Sequence, residues 1–355
     1  MINLKKIKKI PLGGYIRLGV TLAVFCSLLI HPDKGAEGIK KGLELLGAVV
    51  IPSLFPFTVL SAYASRSAFG TAAEKIFGKA AAVLFKTGSS SAAVFLLGVT
   101  GGYPIGAKTA LTMFEQGSLC ADDARRLCLF CVNAGPAFAV SAVGVSMLAS
   151  FKCGIILYIA ELLSALVLGF CCRFLKSEGE GSAAAQYKRT DNAFTEAVAD
   201  GSRAIINICA WVLTFSCASA LCELLPLDSF TVDFIKAVLE VTTGCAFFAG
   251  RAPLPVIAAM LGFGGISVIC QVLPYLQALG VSKKLFFVSR AVNAALNAFF
   301  VSVLIGIFPQ ETAVFAPSTP GVQGFQLSYG APACIILIIL CILFILDVDY
   351  NKKVC

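Results

Sequence analysis

The chain has 355 residues, 58% of them hydrophobic and only 14% charged, with a formal net charge of +8. At a mean hydropathy of +0.88, a soluble core bounded by chain size cannot hide that much apolar surface, so a soluble globular protein is excluded. The positive residues sit mostly in short loops beside apolar runs, where they set orientation in a lipid bilayer; nucleic acid is not an expected partner.

In chain order, MINLKKIKKIPLGGYIRLG places Lys5, Lys6, Lys8, Lys9 and Arg17 ahead of an apolar run ending near Ile30. No small-residue cleavage site follows, so residues 1–33 read as an uncleaved first span with a cytoplasmic N-terminus. Residues 34–47, with Lys40, Lys41 and Glu44 among apolar neighbours, predict an amphipathic helix lying at the membrane interface. The next run, AVVIPSLFPFTVLSAYA, is interrupted by Pro52 and Pro56, and a basic stretch with Arg66, Lys75, Lys79 and Lys86 follows on the cytoplasmic side.

Residues 95–109, FLLGVTGGYPIGAKT, are the centre of the pattern. Gly101, Gly102, Pro104 and Gly106 break an apolar run from within, through backbone freedom at glycine and a missing N–H at proline. Inside a bilayer such freed backbone groups are tolerated only against protein or a wet cavity. Lys108 directly after the break adds a costly charge, which suggests a solute site at a broken or re-entrant helix.

A polar elbow, EQGSLCADDARR, puts Asp122 and Asp123 at a predicted helix start, where acids suit the positive helix end. The following apolar run is interrupted at Asn133, Gly135 and Pro136, and residues 153–172 form a cleaner span in which Glu161 faces the bundle rather than lipid. Residues 173–203 are the longest hydrophilic stretch and read as a cytoplasmic linker between two halves.

The second half repeats the first. Residues 204–225 correspond to the proline-kinked run; FIKAVLEVTTGCAFFAGRAPLPV stands where the GGYPIGAK hairpin stood, with Glu240, Thr242, Thr243, Gly244 and Arg251 at its break. Gly264, Gly265 and Gln271 interrupt the next run, and a span at 285–307 carries Asn293 and Asn297 behind Arg290. A last span at 331–346 precedes a tail with Lys352 and Lys353. If the two glycine-bearing hairpins are re-entrant, the basic loops at 65–91, 173–203 and 273–290 and both termini all fall on the cytoplasmic side. The two halves then enter the membrane in opposite directions. The expected fold is an all-α polytopic membrane protein of two inverted repeats with broken or re-entrant helices. Its parts are a first span (1–33), a first repeat (34–172), the linker (173–203), a second repeat (204–307) and a C-terminal span and tail (308–355).

The fifteen cysteines lie mostly inside apolar runs, where they pack as small hydrophobes; a single histidine and a lone CxxC (Cys128, Cys131) point to no metal site. There is no G-x-S-x-G, H-E-x-x-H or P-loop, so an enzyme is not expected.

With GGYPIGAK, FCVNAGP, EVTTG and FGGISVICQ in this order, residues from about 40 to 305 resemble the YlbJ-type sporulation integral membrane proteins, within the nucleoside-recognition Gate-domain group. The resemblance implies a transport role in endospore formation, with dipicolinate moved across the outer forespore membrane. It implies nucleoside-type solutes for other Gate proteins, and a homo-oligomer or other sporulation membrane proteins as partners. No cofactor is expected, and a coupling ion, H+ or Na+, is left open. The candidate solute-binding residues are Gly101, Gly102, Tyr103, Pro104, Gly106, Lys108, Asn133, Gly135, Glu240, Thr242, Thr243, Gly244, Gly264, Gly265, Gln271, Asn293 and Asn297. For a small anion, backbone N–H groups and the positive half-helix ends supply donors and Lys108 a full charge. Plainer roles stand beside these. Lys108 snorkels to the interface; Glu240 is a structural ion-pair member, a proton site or a cation ligand. The glycines allow close helix packing, and the two asparagines bond helices together. A non-transporting membrane assembly factor is the alternative from another class.

Overall fold

A computed structural model describes residues 12–66, 69–175 and 192–308. The lysines at the N-terminus, most of the 173–203 linker, and the 331–346 span with its tail lie outside the described residues. Among the described residues the protein is helical throughout, with no strand, and five helices are long and apolar enough to cross a membrane. The chain is an integral membrane protein.

Helix α1 (Leu12–Ile30) leads into α2 (Pro32–Leu45), which continues through a π-helical turn, Leu46–Val50, into α3 (Ile51–Arg66). The continuous rod over Pro32–Ala64 differs from the sequence expectation of an interface-lying helix over 34–47. Gly35, Gly38 and Gly42 are buried along α2 and face α9 (Ala193–Cys222). A Cβ built on Gly38 would lie 2.7 Å from the Ser216 carbonyl oxygen and 2.8 Å from the Ala220 Cβ. Small residues at that spacing let two backbones approach closely, and this packing outweighs the polar face in placing the helix. The start of the rod meets the end of α9 through Lys34 and Glu223, at 3.1 Å. Its end meets the start of α9 through Tyr63 and Phe194, whose rings are 6.1 Å apart. The two are therefore antiparallel.

Helix α4 (Phe69–Phe85) precedes a short pair, α5 (Ser91–Gly101) and α6 (Ile105–Glu115), then α7 (Ala121–Phe130), a π-helical segment Ala137–Met147, and the straight α8 (Phe151–Cys172). The second half runs α10 (Ser229–Leu239), α11 (Val241–Phe248), α12 (Leu254–Phe263), α13 (Gly265–Ala278) and the straight α14 (Lys283–Ile307). Eleven residues rise only about 16 Å, half a bilayer, so neither α5 nor α6 crosses. Both ends of their hairpin lie at one end of the bundle. The Gly88 N–H donates to Asp123 at 2.8 Å and the buried Arg126 donates to the Lys86 carbonyl at 2.6 Å, tying the entry of α5 to the start of α7. The turn between α13 and α14 lies at that same end, where Arg125 donates to the Leu279 carbonyl at 2.8 Å. At the other end of α9, Lys236 of α10 reaches Glu223 at 2.8 Å. Helices α8 and α14 pack on each other in the interior, with α12 against α14 and the Ala137–Met147 segment against α8.

Candidate functional site

Four interruptions of helix converge. The first ends α5 at Gly101; Gly102 follows at φ +76°, a conformation that costs glycine nothing, and Tyr103 precedes Pro104 in a cis peptide. The second is the unwound stretch between α7 and Ala137. These two touch backbone to backbone: a Cβ on Gly102 would lie 2.9 Å from the Gly135 nitrogen, and one on Gly135 2.8 Å from the Gly102 nitrogen. Gly106 packs on the same stretch, since a Cβ there would run into the Cys131 carbonyl oxygen.

An unwound helix leaves its last carbonyls without intrahelical partners. At α7 they are met from inside the bundle. Asn133 Nδ2 donates to the Phe130 carbonyl at 2.7 Å, Arg290 Nη2 to the Leu129 carbonyl at 2.7 Å, and Arg290 Nη1 to the Val132 carbonyl.

In the second half the break between α10 and α11 falls at Glu240. Its carboxylate accepts from the N–H groups of Thr242 (3.0 Å) and Thr243 (2.6 Å), capping α11 from a position 1% exposed. The break between α12 and α13 falls at Gly264, left-handed at φ +82°, and Gly265; a Cβ on Gly265 would lie 3.0 Å from the Val241 nitrogen, so these two breaks also meet.

Between the two pairs of breaks lies a small cavity of about 40 Å³, partly open to the outside. Gly101, Gly102, Tyr103 and Gly135 line it from the first half, with Ala137 and Phe138; Glu240, Thr242 and Gln271 line it from the second, with Val241 and Val268. Val50 and Leu54 of the rod and Ile208 and Val212 of α9 close its apolar side. The sequence-predicted residues not among these linings have other surroundings. Pro104 caps α6 and Asn133 caps α7. Thr243 donates its N–H to Glu240, and Gly244 packs against Ala237 and Met260. Asn293 and Asn297, both 0% exposed, face inward from α14: Asn293 Nδ2 donates to the Gly262 carbonyl at 3.1 Å and to Glu161 at 3.4 Å, and Asn297 Nδ2 to the Asn293 carbonyl at 3.2 Å. The Lys108 side chain is 47% exposed and faces Asp200 of α9 at 3.8 Å, because two residues beyond Gly106 it lies on the opposite face of α6 from the break. The charged side chain lining the cavity is thus a carboxylate, Glu240.

Sequence reasoning missed Arg290. It was counted with the basic 273–290 loop, yet it is 2% exposed, a full turn and more inside α14, with its guanidinium spent on the α7 break. The signal was present: an arginine followed by an apolar run with two asparagines on one helical face is an intramembrane ionisable residue.

The chemistry is that of a small, largely apolar chamber with a polar floor. At Gly101, Gly102 and Gly135 the backbone lines it with no side chain in between. The positive end of the Ala137 segment starts beside it, with the Phe138 and Ala139 N–H groups donating to the Gly135 carbonyl. Hydrogen-bonding side chains come from Thr242 and Gln271. Comparison with known proteins gives a match over most of the chain. The sporulation integral membrane protein YlbJ of Bacillus subtilis (strain 168) is 22% identical over 348 residues, covering 85% of this chain and 84% of the relative. The chain is similar to this relative along most of its length. No family model and no solved structure matches it. The relative is named an integral membrane protein, and the apolar helices described above give this chain the same membrane setting.

Proposed function

We propose that the protein translocates a small organic anion across the membrane through this cavity, with dipicolinate in endospore formation as the solute and the outer forespore membrane as its place. One observation carries the reading: helix breaks from both halves, at Gly102, Gly135 and Glu240, line one chamber with a polar floor, and the Gly264 break packs against the Glu240 break. Solute sites of secondary transporters are built in this way, from half-helix ends and opened backbone near the midplane between repeats. On this reading the two halves are inverted repeats, α5–α6 corresponding to α10–α11, the broken α7 run to α12–α13, and α8 to α14.

Glu240 favours a second reading. With a carboxylate as the charged lining residue, a neutral, N–H-bearing heterocycle of nucleoside type meets less repulsion than a dianion does. Uptake of labelled dipicolinate and of labelled nucleosides into proteoliposomes, with and without H+ and Na+ gradients, separates the two. Dipicolinate uptake supports the first, and nucleoside uptake alone replaces it. No uptake of either, with protein shown to be inserted, favours a non-transporting assembly role.

A further inference from the structure

Helix α14 carries a polar face that touches the broken helices of both halves. Arg290 donates to the Leu129 and Val132 carbonyls at the end of α7. Three residues on, Asn293 donates to the Gly262 carbonyl, two residues before the Gly264 break of α12. The buried Glu161 of α8 joins the same group. It accepts from Asn293 Nδ2 at 3.4 Å, while its other oxygen has no partner among the described residues. Arg290 thus holds the freed carbonyls of the α7 break, and Glu161 holds Asn293, three residues further along α14. The approach is close: a Cβ on Gly262 would lie 2.6 Å from Asn297 Nδ2 and 2.8 Å from the Asn293 carbonyl oxygen.

None of these side chains lines the cavity, yet Gly135, Ala137 and Phe138, which follow the α7 break within a few residues, do. We infer that Arg290 and Asn293, braced by Glu161, are positioning residues that lock the breaks of the two halves into one geometry, so that the cavity's two walls change shape together. A helix break is a soft point, and two soft points held by one rigid span through adjacent residues share their displacement. Arginine suits the task because one planar fork reaches two carbonyls at once, which an ammonium does not. Arg290 and Glu161 influence each other electrostatically without a direct ion pair, so both are changed together to keep the buried charge balanced.

The test needs no solute, so its failure is distinct from a failure of the transport reading on which the cavity's role rests. Ala137 lines the cavity on the first-half wall. In the full-length protein, Ala137→Cys is treated with a small methanethiosulfonate reagent, and the rate at residue 137 is read by peptide mass spectrometry. The Arg290→Gln/Glu161→Gln pair should change that rate by about tenfold, as expected for groups in one hydrogen-bonded network. Arg290→Lys should fall between. The decisive variant is Asn293→Ala, whose backbone partner lies in the other half. It should also alter the rate at residue 137, with the thermal midpoint read alongside. If Asn293→Ala leaves residue 137 at the unmodified rate while the Arg290 and Glu161 changes alter it, the breaks are independent and the inference fails. It fails as well if none of the variants alters the rate.

Discussion

Replacing Glu240 by alanine separates two roles that meet in one carboxylate. Its oxygens accept from the N–H groups of Thr242 at 3.0 Å and Thr243 at 2.6 Å, with the residue 1% exposed. Hydrogen bonds to a charged group contribute about 1.5–3 kcal/mol each, and a negative charge at a helix N-terminus adds roughly 0.3–1 kcal/mol. Desolvation of the carboxylate, several kcal/mol, opposes both. Truncation to alanine leaves two buried amides unmet, each costing about 1–3 kcal/mol, for a net loss of roughly 2–4 kcal/mol. Glu240→Gln keeps one acceptor oxygen and should lose about 1 kcal/mol. The assay is thermal unfolding of the purified protein in detergent, where the alanine variant should melt roughly 4–8 °C lower and the glutamine variant should lie close to wild type. An alanine variant that melts with wild type would refute the capping role and leave Glu240 a group held for the solute or a cation. If capping is its whole role, solute affinity in the glutamine variant stays near wild type.

Lys108→Gln should change flux by less than about twofold, since a half-exposed pair at 3.8 Å contributes little; abolished flux with normal insertion would return Lys108 to the solute path. Gly106→Ala should destabilise by about 3 kcal/mol, the upper end for overpacking, because its Cβ meets backbone, the Cys131 carbonyl, rather than a side chain that can yield; a wild-type melting profile would contradict that packing. The Glu223 carboxyl is held below its ordinary value near 4.5, first by the hydrogen bond from Lys236 and then by Lys34, against the effect of burial. A depressed carboxyl contributes stability present at neutral pH and lost as pH falls below that ordinary value through the folded-state one. Glu223→Gln should therefore lower the neutral-pH midpoint slightly, by no more than about 1 kcal/mol in stability, and flatten its decline under acid. An unchanged acid profile would mean that the Lys34–Glu223–Lys236 contact adds nothing.

The helix breaks were legible because glycine and proline leave a mark that lipid cannot tolerate without protein beside it, so GGYP, NAGP, EVTTG and FGGIS each announced an interruption. That they meet follows from pairing in three dimensions, Gly102 with Gly135 and Gly265 with Val241, which no local spacing encodes. Lys108 misled because a charge beside a break is close in sequence, whereas the half turn from Gly106 to Lys108 suffices to point it at Asp200. Residues 34–47 misled for a related reason. Their polar face was visible as periodicity, but the glycine stripe that seats α2 on α9 gains its meaning only once the partner helix is there. Arg290 was visible as a residue and invisible as a cap, because its acceptors lie more than 150 positions away in the chain.

The most direct test of the cavity as the solute path is a reversible block placed inside it. Ala137→Cys protein, reconstituted in proteoliposomes, is treated with a benzyl methanethiosulfonate and assayed for dipicolinate and nucleoside uptake before and after reduction by dithiothreitol. Uptake of the transported solute should fall on modification and return on reduction, since an aromatic adduct fills the chamber that Gly102, Tyr103, Thr242 and Gln271 share. Undiminished uptake with residue 137 fully modified would place the solute path elsewhere.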